Sequence, residues 1–198
     1  MEGKYFFRNS SDIKNKHEHV IFELENDEQL RYHDTRKFGK MHLVKKGSFD
    51  DYEVIKELGL EPWDINLNAS YLKNSYKNKS LPIKTVILDQ SIITGIGNIY
   101  ADEILFLSRI NPLVKAKDLS HKELDSIIKN TKITLEKAIK EGGTTIRSYT
   151  SDEGVSGKFQ NSLYVHAKEH EKCLECSSEI VKIKVGGRGT YYCPKCQK

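Results

Sequence analysis

Four cysteines near the C-terminal end have the spacing that most directly predicts chemistry. Cys173 and Cys176 form one Cys-x2-Cys pair, and Cys193 and Cys196 form a second pair after sixteen intervening residues. Two such pairs can place four thiolates at the corners of one tetrahedral Zn²⁺ site, which leaves no open position for water. Two disulfides are the alternative, but the first residues do not read as a secretory signal, and disulfides belong to oxidising compartments. The spacing therefore predicts one structural zinc ion in a zinc ribbon.

A glycine turn at residues 95–98, with the sequence Gly-Ile-Gly-Asn, is the second candidate site. It ends an apolar run, and Asn98 then opens a helical pattern that carries Asp102 and Glu103. Glycines permit a tight turn, Asn is a favoured N-cap residue, and carboxylates suit the positive end of a helix. A helix N-terminus presented in this way can bind a phosphate. The alternative is an ordinary joint between two helices, the second of them capped.

Composition restricts the class of protein that carries these sites. Hydrophobic residues make up 37% and charged residues 30% of the 198 residues, which suits one or two compact domains. No apolar run approaches the roughly 20 residues that a membrane helix needs, so we expect no membrane partner and a cytoplasmic location. The net charge of +4 is carried by residues 158–198, which favours an anionic partner.

The first 60 residues predict a small antiparallel sheet of three or four strands. β-branched and aromatic residues recur in short runs that are separated by turn residues. The predicted strands are residues 1–8, 19–24, 29–33 and, less regularly, 38–44. An open sheet of this size leaves an edge and a face uncovered.

Helical patterns dominate the middle of the chain. Residues 50–58 predict a short helix that Gly59 caps. Residues 66–80 are polar and Lys-rich, and residues 71–90 carry a modest basic stripe, for which the alternative is a solvated linker face. Helical spacing resumes at Pro82 and continues to the glycine turn. A Ser120–Glu123 capping box then opens a long helix that ends at a Gly-Gly pair.

The C-terminal segment predicts a two-stranded ribbon. Residues 179–185 alternate as a strand, a glycine-rich turn follows, and residues 190–193 return. Arg188 then lies at the tip of the ribbon, where neighbouring glycines leave its side chain unobstructed. Residues 144–162, rich in Gly and Ser, predict a long loop before this unit.

Four motifs, in order along nearly the whole chain, resemble those of the formamidopyrimidine-DNA glycosylases. The turn motif resembles the helix–two-turn–helix signature of that family. The four motifs are Asp34-x-Arg36-Lys37-Phe38-Gly39, Gly95-Ile96-Gly97-Asn98-Ile99-Tyr100-Ala101-Asp102-Glu103, Gly142-Gly143-Thr144-Thr145, and Gly186-Gly187-Arg188-Gly189-Thr190-x-x-Cys193-Pro194-x-Cys196-Gln197. Each motif alone is weak, but the four together are specific.

The resemblance implies an α+β fold in three parts. These are the remainder of an antiparallel β-sandwich over residues 1–60, an all-α helix–two-turn–helix domain over residues 61–155, and a zinc-ribbon β-hairpin over residues 156–198. It also implies a base-excision repair enzyme that works as a monomer on double-stranded DNA. Its relatives remove oxidised purines such as 8-oxoguanine and formamidopyrimidine, and then nick the abasic site by β,δ-elimination.

The resemblance assigns DNA contacts to Asn98, Lys84, Lys79 and His17, with Asn98 and nearby backbone amides holding a phosphate. Arg188 is implied to grip phosphates around an extruded nucleotide and to take part in δ-elimination, since a guanidinium binds phosphate in a bidentate fork. Without the resemblance, Lys79 and His17 would be read as solvated surface residues, and Arg188 as an exposed turn residue.

Arg36, Phe38 and Met1 match the three side chains that fill the gap left by the extruded nucleotide. Extrusion costs stacking and pairing energy, and an apolar wedge offsets part of that cost, while an arginine can bind the orphaned base. The alternative for Phe38 is a core aromatic residue in a strand. Residues 147–159 match the loop that closes over the flipped base.

The nucleophile of the family is the amine of an N-terminal proline, which is followed by a glutamate and assisted by a lysine. None of the three has a counterpart here, and Met1-Glu2 is not that Pro-Glu pair. We therefore expect the chain to correspond to about the C-terminal three-quarters of such an enzyme. We also expect the chain alone to lack glycosylase activity and to retain DNA binding.

Three other functions stay open at this point. An endonuclease VIII-type glycosylase for oxidised pyrimidines shares the fold and the zinc unit, although Arg36-Lys37-Phe38 favours the first family. A non-catalytic damaged-DNA-binding fragment would agree with the missing nucleophile. A ribosomal or transcription zinc ribbon would explain the cysteines but not the turn at residues 95–98.

Overall fold

Three strands near the N-terminus form an antiparallel sheet in the computed structural model, which describes residues 3–48, 52–144 and 157–198. The strands lie in the order β1-β3-β2, with Phe6 of β1 and Ile21 of β2 both opposite Arg31 of β3. Their bounds are Lys4–Asn9 for β1, Glu18–Glu23 for β2 and Glu28–His33 for β3. Met1, Asp50 and most of the predicted loop at residues 147–159 lie outside the described residues.

The two faces of this sheet differ in their exposure. Arg31 is fully buried and bonds Glu18 at 3.1 Å as well as the backbone oxygens of Asn9 and Asp12. On the other side, Tyr5 and Phe7 are more than half exposed. The sheet therefore shows the uncovered face that its small size predicts.

The predicted fourth strand at residues 38–44 is wrong, because these residues form no strand. The Asp34 carboxylate accepts hydrogen bonds from the backbone N–H groups of Arg36 and Gly39 at 3.0 and 2.9 Å. Asp side chains compete in this way with a strand ladder for backbone donors. The chain turns locally at residues 34–39 instead of pairing with the sheet.

Five α-helices lie between the sheet and the C-terminal hairpin within the described ranges, and their bounds differ in part from the sequence prediction. The first helix is shorter than predicted, and Glu57 rather than Gly59 is its C-cap. Gly59 has another role, since a Cβ there would collide with the backbone of Ile92. The helices are α1 Glu53–Lys56, α2 Ala69–Tyr76, α3 Ile83–Val86, α4 Asn98–Leu107 and α5 His121–Lys140.

The polar, Lys-rich residues 66–80, for which the sequence predicts no helix, contain α2, so the alternative of a solvated linker is wrong for this part. The Asn68 side chain accepts a hydrogen bond from the backbone N–H of Tyr71 and caps the helix. Leu72 and Tyr76, one turn apart, are completely buried in the core of the helical domain. Lys73 lies between these two positions, and Lys77 and Lys79 follow them, so polar residues conceal the helical pattern.

The long helix α5 begins and ends as its sequence predicts. Ser120 and Glu123 form a reciprocal capping box. After the helix, Gly142 and Gly143 adopt φ values of +74° and +85°, which glycine tolerates and most residues do not. Among the described residues, no helix has both the length and the apolar character needed to cross a membrane.

The C-terminal unit is a hairpin that packs on α4. Its strands are β4, Val181–Val185, and β5, Arg188–Tyr192, joined through Gly186 and Gly187 at φ values of +55° and +80°. Phe106 of α4 shares a buried cluster with Val165, Ile180 and two of the cysteines. The orientation of the hairpin is therefore fixed relative to the helical domain.

Candidate functional site

The four cysteines converge on one point beside the hairpin. Their four Sγ atoms all lie within 4.8 Å of one another, and the pairs Cys173–Cys196 and Cys176–Cys193 are 3.9 and 3.4 Å apart. Zn–S bonds of about 2.3 Å place the corners of a tetrahedron about 3.8 Å apart. The cluster therefore fits one structural Zn²⁺ with four thiolate ligands, as the spacing predicts.

The start of α4 differs from the predicted cap. Gly97 is the N-cap and Asn98 is the first helical residue, so the prediction of Asn98 as the cap is wrong. The Asn98 side chain bonds the hairpin instead of capping the helix. Its Nδ2 donates to the backbone oxygen of Gly189 in β5 at 3.0 Å. Its Oδ1 has no hydrogen-bond partner within the described part of the chain. Asn98 therefore ties the helix N-terminus to the hairpin, next to Arg188.

The two carboxylates expected in the first turn of α4 lie beyond it and are buried. Asp102 Oδ1 accepts a hydrogen bond from Lys84 Nζ at 2.6 Å, and this amine also donates to the backbone oxygen of Asn98 at 2.8 Å. Burial lowers the pKa of Lys84, while the nearby Asp102 carboxylate opposes that shift. The Lys84 side chain has no exposed surface. It therefore contacts the backbone of Asn98 from the protein interior and does not face solvent.

Glu103 fastens the segment before the zinc unit to α4. Its two carboxylate oxygens accept hydrogen bonds from the backbone N–H groups of Tyr164, Val165 and His166 at 2.6, 3.0 and 2.9 Å. Burial raises the pKa of Glu103, and these three donors act against the rise. This carboxylate is a structural anchor and is not free to bind a ligand.

His166 is a member of this network that the sequence analysis did not identify. Its Nδ1 lies 2.6 Å from Asp102 Oδ2, so Asp102 joins Lys84 to His166. His166 and Asp102 are 64 residues apart, and no local pattern connects them. The contact becomes visible only when the hairpin unit is placed against α4.

Arg188 stands at the rim of a cleft of about 320 Å³ between α3 and the hairpin, which Lys79 also lines. Its side chain is exposed and makes no hydrogen bond or ion pair with the residues that the structure describes. Lys79 bonds Asp89 at 3.0 Å. One end of the hairpin thus lies near four of the predicted site residues, Asn98, Lys84, Lys79 and Arg188. Among them, the Arg188 guanidinium is available to bind an anion.

A second group of predicted site residues lies at the end of the sheet. The exposed Arg36 guanidinium stacks over the Phe38 ring with its Cζ 4.8 Å from the centroid, and Phe38 is 56% exposed. This exposure contradicts the alternative of Phe38 as a core aromatic. His17 lies nearby, where its backbone oxygen accepts from the Asp34 N–H. Partial burial and the charge of Lys16 lower the pKa of His17.

The chain matches three family models along its length. Residues 1–41 match the formamidopyrimidine-DNA glycosylase N-terminal domain, residues 58–150 match the formamidopyrimidine-DNA glycosylase H2TH domain, and residues 171–198 match a zinc finger found in FPG and IleRS. These regions correspond to the sheet, the helical domain and the hairpin.

Whole relatives give the same result. The chain is 47% identical over 197 residues to formamidopyrimidine-DNA glycosylase from Oceanobacillus iheyensis, and covers 70% of it. It is 46% identical to the enzyme of that name from Ureaplasma parvum, and covers 72% of it. Each match covers the whole of this chain.

Solved structures agree with the sequence relatives. A complex of Lactococcus lactis Fpg with DNA that contains an abasic site superposes with a TM-score of 0.90 at 38% identity. A variant of that protein in complex with Fapy-dG DNA gives a TM-score of 0.91 at 37% identity. Both matches cover all of this chain and 72% of the solved chain. This chain belongs to the formamidopyrimidine-DNA glycosylase family.

Proposed function

We propose that the chain acts in base-excision repair, as part of a DNA glycosylase and abasic-site lyase that removes oxidised purines from duplex DNA. The observation that carries this proposal is the junction of α4 with the zinc hairpin. There the Asn98 amide donates to the backbone oxygen of Gly189, the residue after Arg188, and the exposed Arg188 side chain has no hydrogen bond or ion pair among the described residues. A helix N-terminus with an adjacent guanidinium suits the phosphates that flank an extruded nucleotide.

The exposed pair of Arg36 and Phe38 supplies the second half of the proposed mechanism. An extruded nucleotide leaves a gap in the base stack, and an apolar ring inserted there replaces part of the lost stacking. Arg36 can then donate hydrogen bonds to the edge of the orphaned base. Because both side chains already lie at the surface, no rearrangement of the sheet core is needed to present them.

Zinc has a structural part in this proposal. When bound, it supplies the crosslink that holds the two cysteine pairs together, and no substrate contact. Its four ligands fix the base of the hairpin, and Gly186 and Gly187 turn the chain so that β5 begins at Arg188. The metal thereby determines where the Arg188 guanidinium stands relative to Asn98.

We also propose the division into three parts at residues 1–60, 61–155 and 156–198, which agrees with separate buried clusters in the helical domain and beneath the hairpin. A single copy of the chain offers both the phosphate-binding junction and the wedge, which supports action as a monomer. The proposed place of action is DNA in the cytoplasm.

Duplex binding by the 198-residue chain tests this proposal. We expect tighter binding to a duplex with a tetrahydrofuran abasic analogue than to the same undamaged duplex, by about tenfold or more, which corresponds to about 1.4 kcal/mol. Affinity for both duplexes is expected to fall steeply with salt, because phosphate contacts release counterions. Fluorescence anisotropy at several salt concentrations measures both effects.

A second arm compares duplexes that contain 8-oxoguanine and thymine glycol. Stronger binding to 8-oxoguanine is expected, and a preference for thymine glycol would favour the endonuclease VIII-type alternative. Equal affinity for abasic and undamaged duplexes would contradict the repair proposal and favour a general DNA-binding module.

A further inference from the structure

The turn at residues 34–39 is organised around one carboxylate. Asp34 Oδ1 accepts from the backbone N–H of Arg36 at 3.0 Å, and Oδ2 accepts from the backbone N–H of Gly39 at 2.9 Å and the Tyr32 hydroxyl at 3.2 Å. The Asp34 side chain lies inside the turn, and the residue is only 3% exposed. Every one of these donors approaches a carboxylate oxygen, so the ionised form is the one that closes the turn.

The backbone of Asp34 is held as firmly as its side chain. Its N–H donates to the backbone oxygen of His17 at 3.0 Å, and its own oxygen lies 2.9 Å from His19 Nε2. Hydrogen bonds from Gly39, and then from Arg36 and Tyr32, lower the pKa of Asp34 to about 2, although its burial acts in the opposite direction. The carboxylate is therefore ionised at neutral pH and joins β3 to both sides of the turn.

Two further features show that the turn has little freedom to relax. Lys37 adopts a φ of +56°, in the left-handed region that a lysine seldom occupies. A Cβ at Gly39 would collide with the Tyr32 hydroxyl, so only glycine permits this approach. The hydrogen bonds to Asp34 compensate for the left-handed residue, and the resulting turn directs Arg36 and Phe38 to the surface.

We propose that Asp34 is the positioning residue that preforms this turn, so that Phe38 and Arg36 meet the gap of a damaged duplex already in place. This inference rests on the proposed function. A wedge that is ordered before binding loses less conformational entropy on insertion than a flexible one. Asp34 acts through Phe38 and Arg36 and touches no DNA itself.

The test compares Asp34→Asn with the parent chain. An asparagine can keep its oxygen toward the N–H of Arg36, but its NH2 group then replaces Oδ2 and faces both the N–H of Gly39 and the Tyr32 hydroxyl. We expect affinity for the abasic-analogue duplex to fall about tenfold, as for the loss of a hydrogen bond to a charged group, and affinity for undamaged duplex to stay unchanged. The fluorescence of a 2-aminopurine placed opposite the abasic analogue is expected to change when the parent chain binds. With Asp34→Asn, most of this fluorescence change on binding is expected to be lost.

Two comparisons separate positioning from a general structural effect. In an Arg36→Ala, Phe38→Ala background, which lacks both side chains that Asp34 positions, Asp34→Asn is expected to cause no additional loss of abasic-duplex affinity. Asp64 offers a matched control, because its Oδ1 accepts from the backbone N–H of Asn66 at 2.7 Å in a turn of the helical domain. Asp64→Asn is expected to change neither duplex affinity nor the 2-aminopurine signal.

Amide hydrogen exchange in the free protein tests the turn without DNA. Asp34→Asn is expected to increase the exchange rates of the Arg36 and Gly39 amides about tenfold. Unchanged exchange rates, or equal affinity losses in the parent and in the Arg36→Ala, Phe38→Ala background, would overturn the inference. If the parent chain does not distinguish abasic from undamaged duplex, the proposed function fails, and the exchange rates still decide the role of Asp34.

Discussion

Removal of zinc is expected to unfold the hairpin and to abolish specific duplex binding by this chain. Structural zinc sites contribute roughly 10–16 kcal/mol of apparent binding free energy at neutral pH, which is folding free energy for the unit that they hold. The hairpin has only two strands, and a small pair of this kind is marginal without a further constraint. Arg188 would then lose its fixed position next to Asn98.

Chelation followed by amide hydrogen exchange over Val181–Val185 and Arg188–Tyr192 measures this effect. We expect the protection of these amides to vanish, while the amides of α5 remain protected by the core of the helical domain. Readdition of one equivalent of Zn²⁺ is the control and should restore both the protection and the DNA affinity. A hairpin that stays protected after complete metal removal would show that the four thiolates are not its main constraint.

Replacement of Lys84 by methionine is the second change with a large expected effect. Lys84 and Asp102 are both completely buried, and the substitution leaves Asp102 with the His166 imidazole as its remaining side-chain partner. Removing one member of a buried ion pair costs about 3–5 kcal/mol, because an uncompensated charge stays behind. We expect the free energy of unfolding to fall by this amount in urea titrations.

A double variant distinguishes the loss of the ion pair from a loss of packing. Lys84→Met combined with Asp102→Leu removes both charges, and such replacements recover much of the lost stability in other buried pairs. We expect the double variant to be more stable than Lys84→Met alone. If the two variants are equally unstable, the cost comes from packing around α3 rather than from the stranded carboxylate.

The sequence was most informative where local chemistry alone determines structure. The cysteine spacing predicts a metal site, and the four Sγ atoms meet with distances that fit zinc. The capping box at Ser120 and the glycines after α5 depend on neighbouring residues only, and the structure has both. Motifs of this kind carry their own hydrogen-bond partners, so the rest of the fold does not alter them.

The predictions that failed depend on contacts between distant residues. Asn98 was expected to cap α4, but a carbonyl 91 residues away, at Gly189, takes its amide. The strand predicted at residues 38–44 has suitable residues, yet the backbone N–H of Gly39 near its start donates to the Asp34 carboxylate. Helix α2 was missed because its buried face consists of only three residues in a segment that is otherwise polar. Tertiary contacts override local preference in each of these cases.

The most direct test of the whole account compares two pairs of variants on two duplexes. We predict that Asn98→Ala and Arg188→Ala weaken binding to abasic-analogue and undamaged duplexes by the same factor, since phosphates are common to both. Arg36→Ala and Phe38→Ala are predicted to weaken binding to the abasic duplex alone, because only that duplex offers a gap. Equal losses of affinity for all four variants on both duplexes would contradict this division of roles, in which Asn98 and Arg188 bind phosphates and Arg36 and Phe38 fill the gap.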